Sequence, residues 1–329
     1  MTYKVASLFA GVGGICLGFK NAGADIVWAN EYDSYPCDTY RENFSHQLVE
    51  DDILNVDPNG IPDFDILTSG FPCTSFSIAG SQKGFKDKRT GHLFFETLRI
   101  IEAKRPQVVF LENVKNLVGH DNGNTFSVIK ECLEDAGYHL KYKVLNSMKH
   151  GGVPQNRERI FIIGFLNEEA CNKFQFPETI PLTTSITDVT NPSNKKEDRY
   201  YYRKTKRKGK NEDGTPKFVN CQYYPMLKKA ILSKDTAYQL RRIYVRENKS
   251  NVCPTLTANM GTGGHNVPLV LDDHGIRKLT PRECFTLQGF PKSFKLPTEM
   301  SNGRLYKQAG NSVTVSVIQR IAENIIKIL

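Results

Sequence analysis

Short apolar runs alternate with amphipathic stretches through the first 165 residues. The apolar, β-branched runs predict strands at Val5–Phe9, Asp25–Asn30, Ile66–Thr68, Val108–Glu112, Lys141–Leu145 and Ile160–Gly164. The stretches between them predict helices at Ile15–Ala22, Tyr35–Phe44, Phe94–Lys104 and Thr125–Ala136. Such alternation is typical of βαβ units around a mostly parallel sheet. In a sheet of this kind, ligands bind at the carboxyl ends of the strands.

The pattern changes beyond about residue 175. Residues 177–275 are rich in Pro, Asn, Thr and Lys and hold only short apolar runs, whereas Ser312–Leu329 carries apolar residues at helical spacing. A chain of 329 residues exceeds the usual size of a single hydrophobic core. We therefore predict an α/β domain of residues 1–176 and 305–329, and a smaller, irregular domain of residues 177–304.

The chain carries a net positive charge, and the spacing of its cysteines argues against a zinc site. The formal net charge is +9, and Lys195–Lys210 holds nine Lys or Arg residues, interrupted by three tyrosines. That segment fits a polyanionic partner or a solvated insert equally well. The eight cysteines are far apart and form no CxxC pair. With no signal-peptide or membrane-spanning pattern, we expect a cytoplasmic protein in a reducing compartment.

One cysteine lies where a reactive thiol would be useful. Cys73 follows the predicted strand Ile66–Thr68 in the run GFPCTSFS, at the start of a loop rich in Gly, Ser and Lys. Pro72 fixes its own φ angle and thereby restrains the direction of the chain at the cysteine. The alternative is a buried, inert cysteine, which is the usual fate of a free thiol.

Polar residues follow several of the other predicted strands. The run Phe9-Ala10-Gly11-Val12-Gly13-Gly14 allows a close backbone approach to a ligand, and Glu31 ends the second strand, where it could accept hydrogen bonds from ribose hydroxyls. Asp52 and Ile53 follow near a third strand and could contact an adenine ring. Together these residues describe a nucleoside site, although each alone could be a helix cap or turn residue.

Two further motifs could act on a base. Glu112 ends an apolar strand, where burial would raise its pKa and let it donate a proton to a ring nitrogen. The alternative for Glu112 is a place in a helix N-cap region. Arg157 and Arg159, two residues apart at the entrance of a strand, point to the same face and could hold an oxygen. A surface salt bridge with Glu158 is the alternative for these arginines.

The order of the motifs resembles that of the 5-methylcytosine DNA methyltransferase family. The motifs are LFAGVGG, NEYD, DDI, GFPC, ENV, QNRER, RKLTPRECFTLQGFP and QAGNSV, and the resemblance covers nearly the whole chain except residues 177–250. It implies a Rossmann-like, S-adenosylmethionine-dependent methyltransferase domain and a small target recognition domain. It also implies methylation of cytosine C5 in double-stranded DNA, without a metal, by a monomer that works beside a companion restriction enzyme.

The resemblance assigns roles to the motif residues. Cys73 is the nucleophile that adds to cytosine C6, Glu112 contacts N3 and the amino group, Arg157 lies near the base oxygen, and Arg159 supports the site. The implied cofactor residues are Phe9, Ala10, Gly11, Val12, Gly13, Gly14, Glu31, Tyr32, Asp52, Ile53, Pro72, Leu93, Asn311 and Ser312.

DNA contacts follow from the need to flip the base out of the duplex. We expect them from Ser75, Ser77 and Arg89 in a loop at 74–90 that closes over the base, and from Arg242 and Thr255 in the recognition domain. Thr74 departs from the family pattern, because many members have glutamine there. The alternatives are the same chemistry on tRNA, a nicotinamide-dependent oxidoreductase, and a non-catalytic DNA-binding relative.

Overall fold

The large sheet is built from the first half of the chain. The structure, a computed structural model, describes residues 2–72, 93–262 and 266–329. The strands are β1 Lys4–Leu8, β2 Asp25–Glu31, β3 Gln47–Glu50, β4 Ile66–Ser69, β5 Val108–Val114, β6 His139–Asn146, β7 Gln155–Asn156 and β8 Glu158–Phe165. The helices are α1 Gly14–Asn21, α2 Ser34–Arg41, α3 Leu93–Lys104, α4 Asn124–Asp135, α5 Ser147–Gly151 and α6 Glu168–Lys173.

Seven of these strands form one sheet in the order β3-β2-β1-β4-β5-β8-β6. The first five are parallel, whereas β8 runs antiparallel to both β5 and β6. The chain order reverses between β1 and β4, where Leu8, Ser69 and Leu111 lie side by side. Such a switch point opens a crevice at the carboxyl ends of the strands.

The predicted α/β fold with a mostly parallel sheet is confirmed. Each predicted strand and helix of the first 165 residues overlaps an observed one. The strand expected near Asp52 is β3, for which the sequence predicted no bounds because its four residues lie at the sheet edge, partly exposed, and lack a clear apolar signal.

Helices cover both faces of the sheet. One core cluster packs α1 and the C-terminal helix against the sheet, and another packs α3 and α4 against its other face. The last helix, Val315–Ile328, buries Val317, Ile321 and Ile325, as its spacing predicts. It lies so close to α1 that a Cβ atom at Gly18 would be 2.5 Å from Ile318 Cγ2. The last helix and α1 therefore belong to the same hydrophobic core.

Residues 177–304 are more ordered than their composition predicts. The strands are β9 Thr205–Lys210, β10 Pro216–Asn220, β11 Tyr238–Leu240, β12 Val245–Glu247, β13 Cys253–Pro254, β14 Leu269–Asp272 and β15 Gly275–Lys278. The helices are α7 Ile186–Thr190, α8 Tyr224–Ala230 and α9 Pro281–Leu287, followed by α10 Asn302–Asn311 and α11 Val315–Ile328. Strands β12-β11-β14-β15 form an antiparallel sheet over a small core that includes Leu227, Tyr238 and Leu269.

A buried ion-pair cluster supports this sheet. Arg277 on β15 is fully buried and lies 2.6 Å from Asp272 and 2.8 Å from Glu283 on α9. Because a buried guanidinium without partners is costly, these two carboxylates fix how α9 packs on the sheet.

The division of the chain at residues 176/177 and 304/305 stays a prediction. Within the described ranges, every helix is too short or too polar to traverse a lipid bilayer.

Candidate active site

A cavity of about 760 Å³ lies at the switch point of the large sheet. Its walls come from the loops after β1, β2, β4 and β5, from β8, and from α10 and the residues that follow it. Thirteen of the fourteen predicted cofactor residues line it, together with all three described residues of the predicted catalytic set. These are Phe9, Ala10, Gly11, Val12, Gly14, Glu31, Tyr32, Asp52, Ile53, Pro72, Leu93, Asn311 and Ser312, with Glu112, Arg157 and Arg159.

The turn after β1 forms the floor of the cavity in a strained conformation. Phe9 has φ of 52°, which is uncommon for a residue with a side chain and costs about 1–3 kcal/mol. Gly13, the predicted residue that does not line the cavity, caps α1 with φ of 86°. A Cβ atom there would lie 2.3 Å from the ring of Phe44. Glycine is therefore required at this position to let α1 begin directly under the cavity.

The carboxylate of Glu31 is held at the end of β2 by the backbone. It accepts hydrogen bonds from the amides of Gly11 at 2.9 Å, Tyr32 at 3.0 Å and Asp33 at 2.9 Å. Burial raises its pKa, and the hydrogen bonds from these amides oppose that rise. Asp52 accepts from the amide of Leu54 at 3.0 Å and caps the short turn that begins at Ile53. Both acids are thereby fixed beside the cavity.

The opposite wall comes from α10 and the residues after it. Arg304 and Lys307 line the cavity and were missed by the sequence analysis. The Lys307 ammonium lies 2.9 Å from Asp33, which joins the two walls. The sequence feature that could have indicated these two residues is the motif QAGNSV, which begins directly after Lys307. The buried Ser312 hydroxyl has no hydrogen-bond partner among the described residues and so is available to a ligand.

Glu112 is buried at the end of β5, beside the cavity. Its Oε1 atom lies 3.1 Å from Nε of Arg159 on β8, and burial raises its pKa against the attraction of Arg159 and Arg157. The next residue, Asn113, donates a hydrogen bond of 2.8 Å to the carbonyl of Phe71. This bond, which the sequence analysis also missed, holds the backbone just before Pro72 and Cys73.

Arg157 is buried and bonded mainly to the backbone. It donates to the carbonyl of Leu256 at 2.8 Å and to those of Gly310 and Ser312. Burial lowers its pKa well below the usual value. The alternative of a surface salt bridge with Glu158 is wrong, because Glu158 pairs with Lys115 at 3.0 Å while Arg157 and Arg159 face the cavity.

The remaining predicted residues lie elsewhere. Cys73, Ser75, Ser77 and Arg89 fall outside the described residues, as does the whole loop at 74–90. Arg242 is exposed in the turn between β11 and β12. Thr255 donates to the carbonyl of Asn156 at 2.7 Å. Neither Arg242 nor Thr255 lines the cavity. In the part of the chain that the structure describes, no three His, Cys, Asp or Glu side chains are grouped to hold a metal.

Comparison with known proteins identifies the family. The sequence-family model of the C-5 cytosine-specific DNA methylases matches residues 3–327 of this chain. The chain belongs to this family. It is 61% identical over 325 residues to the Type II methyltransferase M.Bsp6I of Bacillus sp. (strain RFL6), with 98% of both proteins covered. It is 42% identical over 329 residues to the Type II methyltransferase M.HhaI of Haemophilus parahaemolyticus, with 98% of this chain and 94% of the relative covered.

A solved structure shares the methylase fold at low identity. The S. pombe Dnmt2 methyltransferase superposes with a TM-score of 0.72 at 19% identity, covering 99% of this chain and 98% of the other. The predicted DNA cytosine-5-methyltransferase is therefore confirmed as to family and fold, and the nicotinamide-dependent oxidoreductase is excluded.

The ion pair between Glu112 and Arg159 predicts a pKa change. Replacing Arg159 with leucine removes the nearest positive charge, so the pKa of Glu112 should rise further above its ordinary value. The measurement is a pH titration of ¹³C-labelled glutamate carboxyls by NMR, with Glu112→Gln to assign the signal. The matched control is Lys115→Leu, which removes a cation that pairs with Glu158 and should leave the pKa of Glu112 unchanged. An unchanged or lower pKa in Arg159→Leu would contradict this electrostatic account.

Proposed function

We propose that the cavity binds S-adenosylmethionine and a cytosine flipped out of duplex DNA, and that Cys73 attacks that base. One observation carries the proposal. One cavity brings together Glu31, an acid held in place that could bind a nucleoside, and the buried acid Glu112 with its ion-pair partner Arg159. Pro72, the residue that precedes Cys73, lines the same cavity.

The described residues fit the cofactor. Cavities of roughly 300–1,000 Å³ are typical for small-molecule ligands, and this one measures about 760 Å³. Glu31 can accept hydrogen bonds from the ribose hydroxyls, Asp52 from the adenine amino group, and the unpaired Ser312 hydroxyl can contact polar atoms of the ligand. When bound, S-adenosylmethionine supplies the methyl group. The product S-adenosylhomocysteine would occupy the same residues.

Glu112 and Arg159 would bind the base. Burial favours the protonated form of Glu112, which can donate to cytosine N3 and draw electrons toward that side of the ring. The geometry favours Arg159 as the residue beside the base oxygen and Arg157 as the supporting one, the reverse of the sequence-based assignment. Arg159 pairs with Glu112, whereas both terminal nitrogens of Arg157 bind backbone carbonyls.

Cys73 would supply the covalent step. Its thiolate forms a bond to C6, and the electrons of the C5–C6 double bond make C5 a nucleophile. C5 takes a methyl group and then loses its proton, and those electrons expel the thiolate to restore the ring. Asn113 supports this step, since its bond to the Phe71 carbonyl fixes the backbone that leads to the cysteine.

The substrate would be double-stranded DNA with a short specific target. Ser75, Ser77 and Arg89 would contact the DNA near the flipped base, and Arg242 and Thr255 would do so from the recognition domain. The exposed position of Arg242 between two strands supports its role, because Arg reads guanine through two hydrogen bonds. The names and organisms of the Type II relatives support a companion restriction endonuclease and a bacterial setting. We further propose that the protein acts as a monomer in the cytosol.

Removing the proposed nucleophile should separate catalysis from cofactor binding. Cys73→Ala should reduce transfer of a tritiated methyl group to DNA to background, because no thiolate can then activate C5. Its affinity for S-adenosylhomocysteine by calorimetry should match the wild type. Cys132→Ala, a partly exposed cysteine outside the cavity, is the control and should retain activity. Methyl transfer by Cys73→Ala would overturn the nucleophile assignment.

Glu31 should matter for the cofactor alone. Glu31→Ala removes a charged acceptor worth about 1.5–3 kcal/mol, so S-adenosylhomocysteine should bind roughly 10- to 150-fold more weakly. The control is Glu50→Ala, because Glu50 is the register partner of Glu31 on β3 but does not line the cavity. Equal calorimetric affinities of the two variants would show that Glu31 does not hold the ligand.

A further inference from the structure

A hairpin in residues 204–220 carries a dense positive charge outside the active site. Strands β9 and β10 pair antiparallel and form their own two-stranded sheet. The segment holds six Lys or Arg residues against two acids, which lie together in the turn. The cations are Lys204, Lys206, Arg207, Lys208, Lys210 and Lys217, and the acids are Glu212 and Asp213. We call residues 204–220 the basic hairpin.

The charges of the basic hairpin are not used within the protein. Every residue of β9 is exposed, and so is every residue of β10 except Val219, so the hairpin buries no core. Within the described residues, none of its six cations lies in an ion pair. By contrast, the nearby Lys195 and Arg203 both pair with Asp198. The cations therefore remain available to an external anion.

The basic hairpin is held in place at both ends. At its base, the Cys221 amide donates to the Lys204 carbonyl at 2.9 Å. At its tip, the Asn211 amide donates to the Thr215 carbonyl at 2.7 Å. Two residues before the hairpin, the Tyr202 amide donates to the carbonyl of Ile276 on β15 at 2.8 Å, which joins the hairpin to the four-stranded sheet. An ordered arm binds a ligand with less loss of conformational entropy than a disordered one.

The side chains of the basic hairpin fit a nucleic-acid backbone. Lys217 pairs with Gly209 and Phe218 pairs with Arg207, so Lys208 is an extra residue, a bulge, in β9. The bulge adds one more cation to this strand. Because successive side chains of a strand point to opposite faces, β9 presents cations along its length on both faces, which suits an elongated polyanion such as a nucleic-acid backbone. Phe218, paired with Arg207, is 61% exposed and adds an apolar contact among the cations.

We propose that the basic hairpin binds backbone phosphates of duplex DNA flanking the target. The inference rests on the proposed function, which supplies the polyanion at every turnover. Tyr201 and Tyr202, just before the hairpin, bond to β15 of the four-stranded sheet, and the turn between β11 and β12 that carries Arg242 belongs to the same sheet. Phosphate contacts add affinity that does not depend on sequence, whereas base contacts specify the target. The hairpin thus supplies affinity and position, and the sheet supplies specificity.

The test compares two variants with the same net charge. The hairpin variant is Lys206→Gln, Lys208→Gln and Lys210→Gln. The control is Lys20→Gln, Lys173→Gln and Lys327→Gln, three exposed lysines on α1, α6 and α11 that do not line the cavity. Binding is measured over a range of salt to a duplex that extends well beyond the target, to one that ends at the target, and to a long non-target duplex. The target is first located by mapping 5-methylcytosine in a methylated plasmid.

On the long duplexes, the slope of log affinity against log salt should be shallower in the hairpin variant by about 0.9 for each lost contact. Target and non-target affinities should fall by the same factor, and the difference from the control should vanish on the short duplex. Equal slopes for the hairpin and control variants would overturn the inference, even if both slopes were shallower than that of the wild type. An acidic protein partner would give that result. Failure of the wild type to methylate DNA would instead overturn the proposed function. The two failures can be told apart because binding is measured without methyl donor and does not depend on methyl transfer.

Discussion

The buried guanidinium of Arg157 joins the end of α10, which lines the cavity, to the segment that follows β13. It binds the carbonyl of Leu256, which follows β13, and those of Gly310 and Ser312 at the end of α10. Gln155, two residues earlier, accepts from the Leu256 amide at 3.1 Å. Because a buried cation without acceptors is costly, these segments must stay together. One side chain therefore holds a segment of the predicted recognition domain against the end of α10, which lines the cavity.

The same constraint sets the electrostatics around Glu112. The buried Arg157 and the partly buried Arg159 stand beside one buried acid, Glu112, and burial acts against the charge on all three groups. Arg157 stays where it is because carbonyls surround it, which leaves Arg159 to pair with Glu112. Glu112 is consequently balanced between burial, which favours its proton, and two cations, which oppose it. An acid in this balance can donate a hydrogen bond to a base and still return to its ionised form.

Residues at strand ends were predictable, and residues brought in from distant segments were not. Glu31 and Glu112 were found because each follows an apolar strand, and a parallel sheet gathers such ends at one edge. Arg304 and Lys307 were missed because α10 lies more than 250 residues from Glu31 and reaches the cavity only through tertiary packing. The separate surroundings of Arg157 and Arg159 depend on which distant carbonyls lie nearby, and spacing carries no information about that. The antiparallel sheet of β11, β12, β14 and β15 was missed because its strands have only three or four residues.

The central claim is that the cavity presents a flipped cytosine to Cys73. The most direct test is duplex DNA that carries 5-fluorocytosine at the mapped target cytosine, incubated with enzyme and S-adenosylmethionine. Fluorine cannot leave C5 as a proton does, so the bond between the thiol and C6 should persist. Mass spectrometry of the digested complex should find one adduct, on the peptide that contains Cys73, and none without the target cytosine. An adduct on another residue, or none while unmodified DNA is methylated, would contradict the account.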